Sequence, residues 1–202
     1  MSEVEQIKEN LKKLKKLGVS ETEIIKRYES KILSLKNGEL SYVFVENIKG
    51  ADVKAHGKAI IESKNLEWNY NFAKDVKGAD VKAHEKVVIE SKNAIWNYYF
   101  ALYIKRADIK AHEKVVLESK EPEWNYYFAR DVKGADVMAH GRVIIESKDS
   151  RVNDWFKEDF EDEYKILKGN NLIDNAYNFI DDALDKMIKE NNEENKSMQK
   201  RS

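Results

Sequence analysis

The stretch VKGADVKAHEKVVIESK, residues 76–92, decides the fold because it recurs with small changes along the chain. Related copies begin at positions 48, 104 and 132. Each copy holds one histidine, and these four are all the histidines of the protein, spaced 28 residues apart: His56, His84, His112 and His140. A fixed period of this size is typical of repeat proteins, in which each unit packs on its neighbours. The repeat therefore has to be interpreted before any single motif.

The third copy shows what one unit should look like. Its first part, ADIKAHEKVVLESK, predicts a helix that Asp108 caps and that carries His112 on its apolar face. Its second part, PEWNYYFARDVK, predicts a helix that begins at Pro122 and is closed by Gly134. Isolated helices of about 12 residues are marginal in water. We therefore expect the hairpins to stack on one another.

These patterns predict an all-α fold, a right-handed α-solenoid of about four to five 28-residue helical hairpins with capping helices at both ends. After residue 150 they predict one helix that continues for about two turns beyond the repeat, and another from about 172 to 189. The predicted segments are an N-terminal capping helix at 1–23, the repeat array at 24–150 with a degenerate first copy, acidic capping helices at 151–190 and a disordered tail at 191–202.

Composition limits the class of protein. The chain has 36 basic and 37 acidic residues, so no overall field attracts nucleic acid or a membrane surface. It has no cysteine, which excludes disulfides and thiolate metal sites. No apolar run approaches the roughly 20 residues that span a bilayer, and the first residues do not resemble a signal peptide. We expect a soluble cytoplasmic protein that needs no cofactor.

The phrases WNYYFARDVKGADV and AHEKVVIESK resemble short helical-hairpin repeats, HEAT-like or leucine-rich-variant-like, of bacteriophages and of low-GC or fusobacterial bacteria. The resemblance covers roughly residues 40–150. It implies a solenoid used for binding and carries no catalytic residues with it. The close similarity of the copies indicates recent duplication, as in a fast-changing phage protein. It suggests a partner such as a host defence or nucleic-acid-handling protein, inhibited in the manner of an anti-CRISPR.

The histidines are expected to be structural. Ligands of one metal ion lie about 2 Å from it, whereas stacked helices lie about 8–10 Å apart, so histidines of successive repeats cannot share an ion. No nucleophile, orienting acid and oxyanion hole accompany any of them. We predict no metal site, no catalytic site and no enzyme activity. The favoured interpretation is a ladder of buried, neutral rings, each bonded to a backbone group or a tyrosine hydroxyl of a neighbouring repeat.

The second helices suggest a binding ridge beside a core of tryptophan and phenylalanine. Such a ridge of amide, phenol and cation suits a protein partner, or single-stranded nucleic acid that stacks on the rings. The nearby Asp75 and Asp131 disfavour nucleic acid. The predicted ridge residues are Asn69, Asn97, Asn125, Tyr70, Tyr98, Tyr126, Lys74 and Arg130.

The second helix of the central unit, NAIWNYYFALYIKRAD, departs from the repeat. Four substitutions make it more apolar or remove a turn glycine: Ile95, Leu102, Tyr103 and Arg106. If Leu102 and Tyr103 face solvent, they form a patch for a partner protein or for a second copy of the chain. The alternative is a local repacking of the core.

The chain turns acidic after the last copy, where Asp159, Glu161, Asp162 and Glu163 stand close together. They either give a terminal cap its polar outer face or mimic nucleic-acid phosphate towards a basic groove. The predicted function is a non-enzymatic solenoid that binds a macromolecule, most simply a protein. The alternative is a nucleic-acid-binding HEAT-like protein, specific for single strands or similar to a DNA glycosylase.

Overall fold

A computed structural model describes the backbone of residues 1–199, and all side chains except those of residues 170, 171, 174, 185 and 190–202. Every regular element in this part of the chain is an α-helix, which confirms the all-α prediction, and helices pack mainly on their sequence neighbours. The helices are α1 Glu3–Lys16, α2 Glu21–Ser34, α3 Gly38–Asn47, α4 Val53–Ser63, α5 Leu66–Asp75, α6 Val81–Glu90, α7 Ala94–Tyr103, α8 Ile109–Ser119, α9 Pro122–Asp131, α10 Val137–Ser147, α11 Ser150–Asp159 and α12 Glu161–Gln199.

Helices α4 to α11 form four hairpins whose first helices begin 28 residues apart. An aspartate caps each first helix. In the third hairpin the carboxylate of Asp108 accepts the N–H of Ala111 at 3.1 Å, as predicted. The second helix of that hairpin begins at Pro122, also as predicted, and has no side-chain cap.

The turn inside each hairpin is built by a serine and a lysine. Ser119 Oγ donates to Val116 O at 2.7 Å and accepts the N–H of Glu121 at 3.2 Å. Lys120, between them, is left-handed with φ +57°, and the equivalent lysines of the other hairpins are too. Glycine or asparagine usually occupies a left-handed position of this kind, so the lysines in the sequence do not predict the left-handed turn.

The turn between hairpins differs from the prediction. Helix α9 ends at Asp131, and Gly134 does not cap it but lies in the following turn with φ +89°. The N–H of Ala135 donates to Val132 O across this turn at 3.1 Å. Arg106 occupies the place of that glycine without a left-handed φ, while the matching bond from Ala107 N–H to Ile104 O is kept at 3.0 Å.

A column of five phenylalanines runs through the core. Each comes from the second helix of one unit and is fully buried: Phe44, Phe72, Phe100, Phe128 and Phe156. This confirms the predicted phenylalanine core. The tryptophans are only half-buried, and each covers a tyrosine of the preceding unit, as where Trp124 meets Tyr98 at 5.7 Å between ring centroids.

The N-terminal end of the column is covered by α1 and α2. Leu11 of α1, with Ile24 and Ile32 of α2, packs against Phe44 of α3. The predicted capping segment at 1–23 thus contains α1 and only the first turn of α2. Helix α3 is the second helix of the degenerate copy.

The C-terminal end departs from the predicted break. Helix α11 ends at Asp159, the chain turns at Phe160, and α12 then continues without interruption to Gln199. The predicted continuation of the first helix and the break near 170 are therefore wrong. The backbone of α12 runs into the segment 191–202, for which a disordered tail is predicted, and residues 200–202 lie outside the described part.

The start of α12 packs on the last hairpin, where the absence of a side chain at Gly141 makes room for Leu167. A Cβ on Gly141 would lie 2.5 Å from Phe156 Cζ and 2.6 Å from Leu167 Cδ1, so no larger residue fits without movement. Leu167 is buried as a result. None of the described helices is long and apolar enough to cross a membrane.

Candidate functional site

A buried hydrogen bond between asparagine and histidine joins successive hairpins. His112 Nδ1 lies 2.7 Å from Asn97 Oδ1, and both side chains are fully buried. The amide nitrogen of Asn97 is already used, because it donates to Val88 O at 2.9 Å and to Asn93 O at 2.8 Å. Its Oδ1 must therefore accept, so the ring carries its proton on Nδ1. In a neutral ring Nε2 is then an acceptor.

The same bond recurs between Asn69 and His84 at 2.8 Å and between Asn125 and His140 at 2.7 Å. We call each such pair a rung. The predicted ladder of buried histidines is confirmed, but its predicted partners, a backbone group or a tyrosine hydroxyl, are wrong. The predicted place of the asparagines in an exposed ridge is wrong as well, since Asn69, Asn97 and Asn125 are fully buried.

A glutamate from the preceding unit approaches the other ring nitrogen. Glu85 Oε1 lies 3.3 Å from His112 Nε2 and also accepts the N–H of Asp108 at 2.6 Å. Because Nε2 is an acceptor in the neutral ring, a hydrogen bond between these two atoms needs one proton shared by the pair. Glu113 has the same place beside His140, with its carboxylate 3.7 Å from Nε2.

Burial controls the charge of these groups. It lowers the pKa of His84, His112 and His140 to about 4, and it lowers the pKa of His56 as well. Burial also raises the pKa of Glu85. The histidines are therefore uncharged at neutral pH, as expected for side chains that serve packing.

Gly57 interrupts the series of glutamates. It stands where Glu85 and Glu113 stand in the following units, so no carboxylate reaches the Nε2 of His84, which has no protein partner. A cleft of about 620 Å³ opens at this point between α4 and α6, and Gly57 and His84 both line it.

The rungs also stop at both ends of the column. Ser41 stands in the place of the rung asparagine before His56, and neither its hydroxyl nor the His56 Nδ1 finds a protein partner. At the other end Asn153 keeps its two bonds to Ile144 O and Asp149 O, but its Oδ1 has no partner. The residue at the matching histidine position is Lys168 of α12.

A second ladder of hydrogen bonds, between tyrosine and aspartate, joins the second helices of successive hairpins. Tyr98 donates its hydroxyl to Asp131 at 2.6 Å, and Tyr126 donates to Asp159 at 2.5 Å. Burial, followed by these acceptors, raises the pKa of both phenols. Tyr70 has no such acceptor because Tyr103 stands where the aspartate would be.

The predicted tyrosine ridge is therefore mostly interior. Tyr70, Tyr98 and Tyr126 are at most 8% exposed. Arg130 is bound to Asp131 at 2.7 Å and its guanidinium lies 5.2 Å from the ring centre of Tyr126. Lys74 lies over Tyr70. The cations of this ridge are engaged within the chain, and its role in partner binding stays a prediction.

For the substitutions of α7 the sequence left two alternatives, an exposed patch for a partner or a repacking of the core, and each applies to some of the residues. Leu102 packs inward against the cluster around Phe128, and Ile95 is half-buried. Tyr103 points outward, 54% exposed, and stacks on Tyr99 at 6.2 Å between centroids. Arg106 is exposed. The substitutions thus repack the core at Leu102 and leave one exposed ring at Tyr103.

Two of the four predicted acidic residues have partners within the chain. Asp159 accepts the hydroxyl of Tyr126, and Glu161 pairs with Lys165 at 2.6 Å, which lowers its pKa. Asp162 is exposed and Glu163 half-buried. Mimicry of nucleic acid by these residues stays a prediction.

The most apolar exposed surface is one that we did not predict. Beyond its first turns, α12 presents large apolar side chains that are each more than half exposed: Ile166, Leu172, Ile173, Tyr177, Phe179, Ile180, Leu184, Met187 and Ile188. Their spacing in the sequence is the signal that could have revealed it, because several follow each other at alternating steps of four and three residues.

Comparisons with protein-family models, with curated proteins and with solved structures find no match to this chain. Among the described side chains, no group of three or more histidine, aspartate or glutamate residues is placed to hold a metal ion.

The rung can be tested with a matched pair of variants. Asn97→Ala and Asn153→Ala both remove two bonds to backbone carbonyls, but only Asn97→Ala also leaves a buried His Nδ1–H without its acceptor. We expect Asn97→Ala to lower the free energy of unfolding by about 1–3 kcal/mol more than Asn153→Ala in urea denaturation. Equal losses would contradict the rung.

The buried histidines also predict how stability depends on pH. Their pKa is about 4 in the folded chain and about 6.5 when unfolded, so between these values the unfolded state binds more protons. The stabilisation is complete above about pH 6.5 and is lost as the pH falls towards 4, by about 2 kcal/mol per histidine at about pH 5. Urea denaturation at several pH values measures this, with His84→Gln expected to reduce the slope. A flat profile would show that the rings are not held neutral.

Proposed function

We propose that the chain is a non-enzymatic α-solenoid of four to five hairpins that binds protein in the cytoplasm, and that α12 provides the binding surface. The observation that supports this proposal is a stripe of exposed apolar side chains on α12. We call this stripe the α12 seam and define it by Ile173, Tyr177, Ile180, Leu184 and Met187, which are 51–64% exposed.

The seam has the spacing of a coiled coil. Its members follow at steps of four, three, four and three residues, the heptad spacing that places side chains along one side of a helix facing a second helix. The two residues after Ile180, Asp181 and Asp182, are acidic. A helix with an apolar stripe beside charged residues is stable when another apolar surface covers the stripe.

A second copy of the same chain is the occupant that this spacing favours. Two α12 helices related by a twofold axis would each present the same seam to the other, which is the self-complementary contact of a symmetric dimer. Within the described part of the chain, α12 packs on α10 and α11, where Leu167 is buried near its start. The seam, which begins six residues later, is open to such a partner.

The other functional alternatives have less support. Nucleic-acid binding, the alternative from the sequence, would use the tyrosines and amides of the second helices, and the side chains of Tyr70, Tyr98, Tyr126, Asn69, Asn97 and Asn125 are buried. Inhibition of a host defence component rests on the resemblance to phage repeat proteins and stays a proposal, which co-purification from cells with and without that component would test. The remaining alternative is an enzyme similar to a DNA glycosylase, and release of bases from alkylated DNA would be the test of that activity.

The oligomeric state tests the proposal. We expect the wild-type chain to be a dimer by light scattering, and Ile180→Glu/Leu184→Glu to be a monomer, because a charge in the seam is not tolerated between paired helices. Asp182→Ser, on the same helix outside the seam, should remain a dimer. Circular dichroism should show that the hairpins stay folded in all three proteins.

A monomeric wild-type chain would contradict the proposed pairing. In that case, an unrelated protein that binds wild type and Asp182→Ser but not the seam variant would still support protein binding by α12. A seam variant that dimerises like the wild type would remove α12 from the binding surface.

A further inference from the structure

The cleft at Gly57 combines three features. Gly57 provides no carboxylate, the buried His84 presents an unpartnered Nε2, and the N–H of Asp80 has no glutamate to accept its hydrogen. One of them, a buried ring Nε2 without a hydrogen bond, also occurs at His56 and His140, but there a glutamate oxygen lies 3.5 and 3.7 Å from the ring nitrogen. In the next unit one carboxylate oxygen of Glu85 serves both matching groups, at 2.6 Å from Asp108 N and 3.3 Å from His112 Nε2. In the cleft at Gly57 the two matching groups, the N–H of Asp80 and the Nε2 of His84, therefore have no carboxylate and could bind one from a ligand.

We propose that the cleft beside Gly57 binds the carboxylate of a small aliphatic acid, which takes the place that the Glu85 carboxylate has beside His112. One carboxylate oxygen would accept the N–H of Asp80 and share a proton with His84 Nε2. This site is independent of the α12 seam.

The shape and lining of the cleft fit such a ligand. Its volume of about 620 Å³ leaves ample room for an aliphatic stem. Val53, Ala55 and Ile61 of α4 supply apolar lining for the stem. The cleft is lined by two lysines, Lys54 and Lys58, and by two aspartates, Asp52 and Asp80, so its formal charge is balanced. The N-terminus of α6 at Asp80, with its free backbone N–H, and the two lysine side chains are the groups that favour an anion. These contacts select a carboxylate on an apolar stem over an uncharged amide.

Gly141 shows that a glycine at this position does not by itself create a site. Gly141 holds the same place in α10, but Phe156 and Leu167 fill the space beside it. At Gly57 the nearest atoms to an added Cβ are Phe72 Cε1 at 3.2 Å and His84 Nε2 at 3.4 Å, so a side chain can enter with a small adjustment. The space beside Gly57 therefore reaches the His84 ring nitrogen, whereas the space beside Gly141 is filled by Phe156 and Leu167.

Binding should take up a proton. His84 Nδ1–H is held by Asn69, so Nε2 meets the ligand as a lone pair and one proton must lie between Nε2 and the carboxylate. The charged groups near the ring are Asp80 on its own helix and Asp52, Lys54 and Lys58 on α4, while α5 presents the uncharged Asn69 and Phe72. Burial keeps the pKa of free His84 at about 4. The affinity should therefore fall up to about tenfold for each pH unit above about pH 5.

Propionate is the probe, and propionamide is its uncharged control. We expect propionate to shift the NMR signals of the Asp80 amide and the His84 ring with a Kd in about the millimolar range, more tightly at acidic than at neutral pH. Propionamide should shift neither. Gly57→Glu should abolish the response and raise the melting temperature, because its own carboxylate completes the arrangement.

Glu85→Gly provides the converse test. It should create a second site, with new propionate-dependent shifts at the Asp108 amide and the His112 ring. Should either variant fail to fold, the comparison of propionate with propionamide on the wild-type chain decides. The proposal is overturned if propionate leaves the Asp80 and His84 signals unchanged at near-molar concentration, if propionamide acts equally, or if folded Gly57→Glu still responds.

Discussion

The hydrogen bond from a histidine Nδ1–H to an asparagine Oδ1 is the interaction on which the arrangement of the hairpins depends. It joins the second helix of one hairpin to the first helix of the next, 15 residues later, at 2.7–2.8 Å. The asparagine amide binds two carbonyls of its own hairpin, so one side chain connects both units. Because the rung is fully buried, any shift of one hairpin against the next would leave polar groups unpaired at high cost. Apolar contacts provide most of the stability, and the rungs select one alignment.

The same repeat position serves different purposes in different units. Beside His112 it holds a glutamate that binds backbone and ring, at Gly57 it leaves a cleft, and at Gly141 it admits Leu167 of the terminal helix. In the ladder of tyrosine–aspartate hydrogen bonds, Tyr103 stands at the place of an aspartate, and its ring is exposed. The phenylalanine column stays intact through these changes, and Gly57 and Gly141 both lie directly beside it, against Phe72 and Phe156.

The period of 28 residues predicts the helical hairpins, their aspartate caps and the burial of the histidines, because each of these follows from local spacing. The sequence does not predict that Asn97 is the partner of His112, since this contact depends on how two hairpins are oriented. For the same reason the exposed ridge was wrong: Asn69 and Tyr70 are adjacent to core residues on a helix that is covered on several sides. The break at Phe160 was missed because an apolar residue gives no stop signal. The apolar stripe of α12 could have been found from its spacing.

A framework fixed by interior polar bonds leaves its outer positions free to vary, which suits a protein that presents binding surfaces. The central claim is that the rings are neutral and protonated on Nδ1. Nitrogen-15 NMR of the imidazole side chains at neutral pH tests it most directly. We predict that His84, His112 and His140 all show a protonated Nδ1, with an unprotonated Nε2 in His84 and His140 and, in His112, an Nε2 that is either unprotonated or shares a proton with Glu85 at 3.3 Å. A proton on Nε2 with a bare Nδ1 in these rings would contradict it.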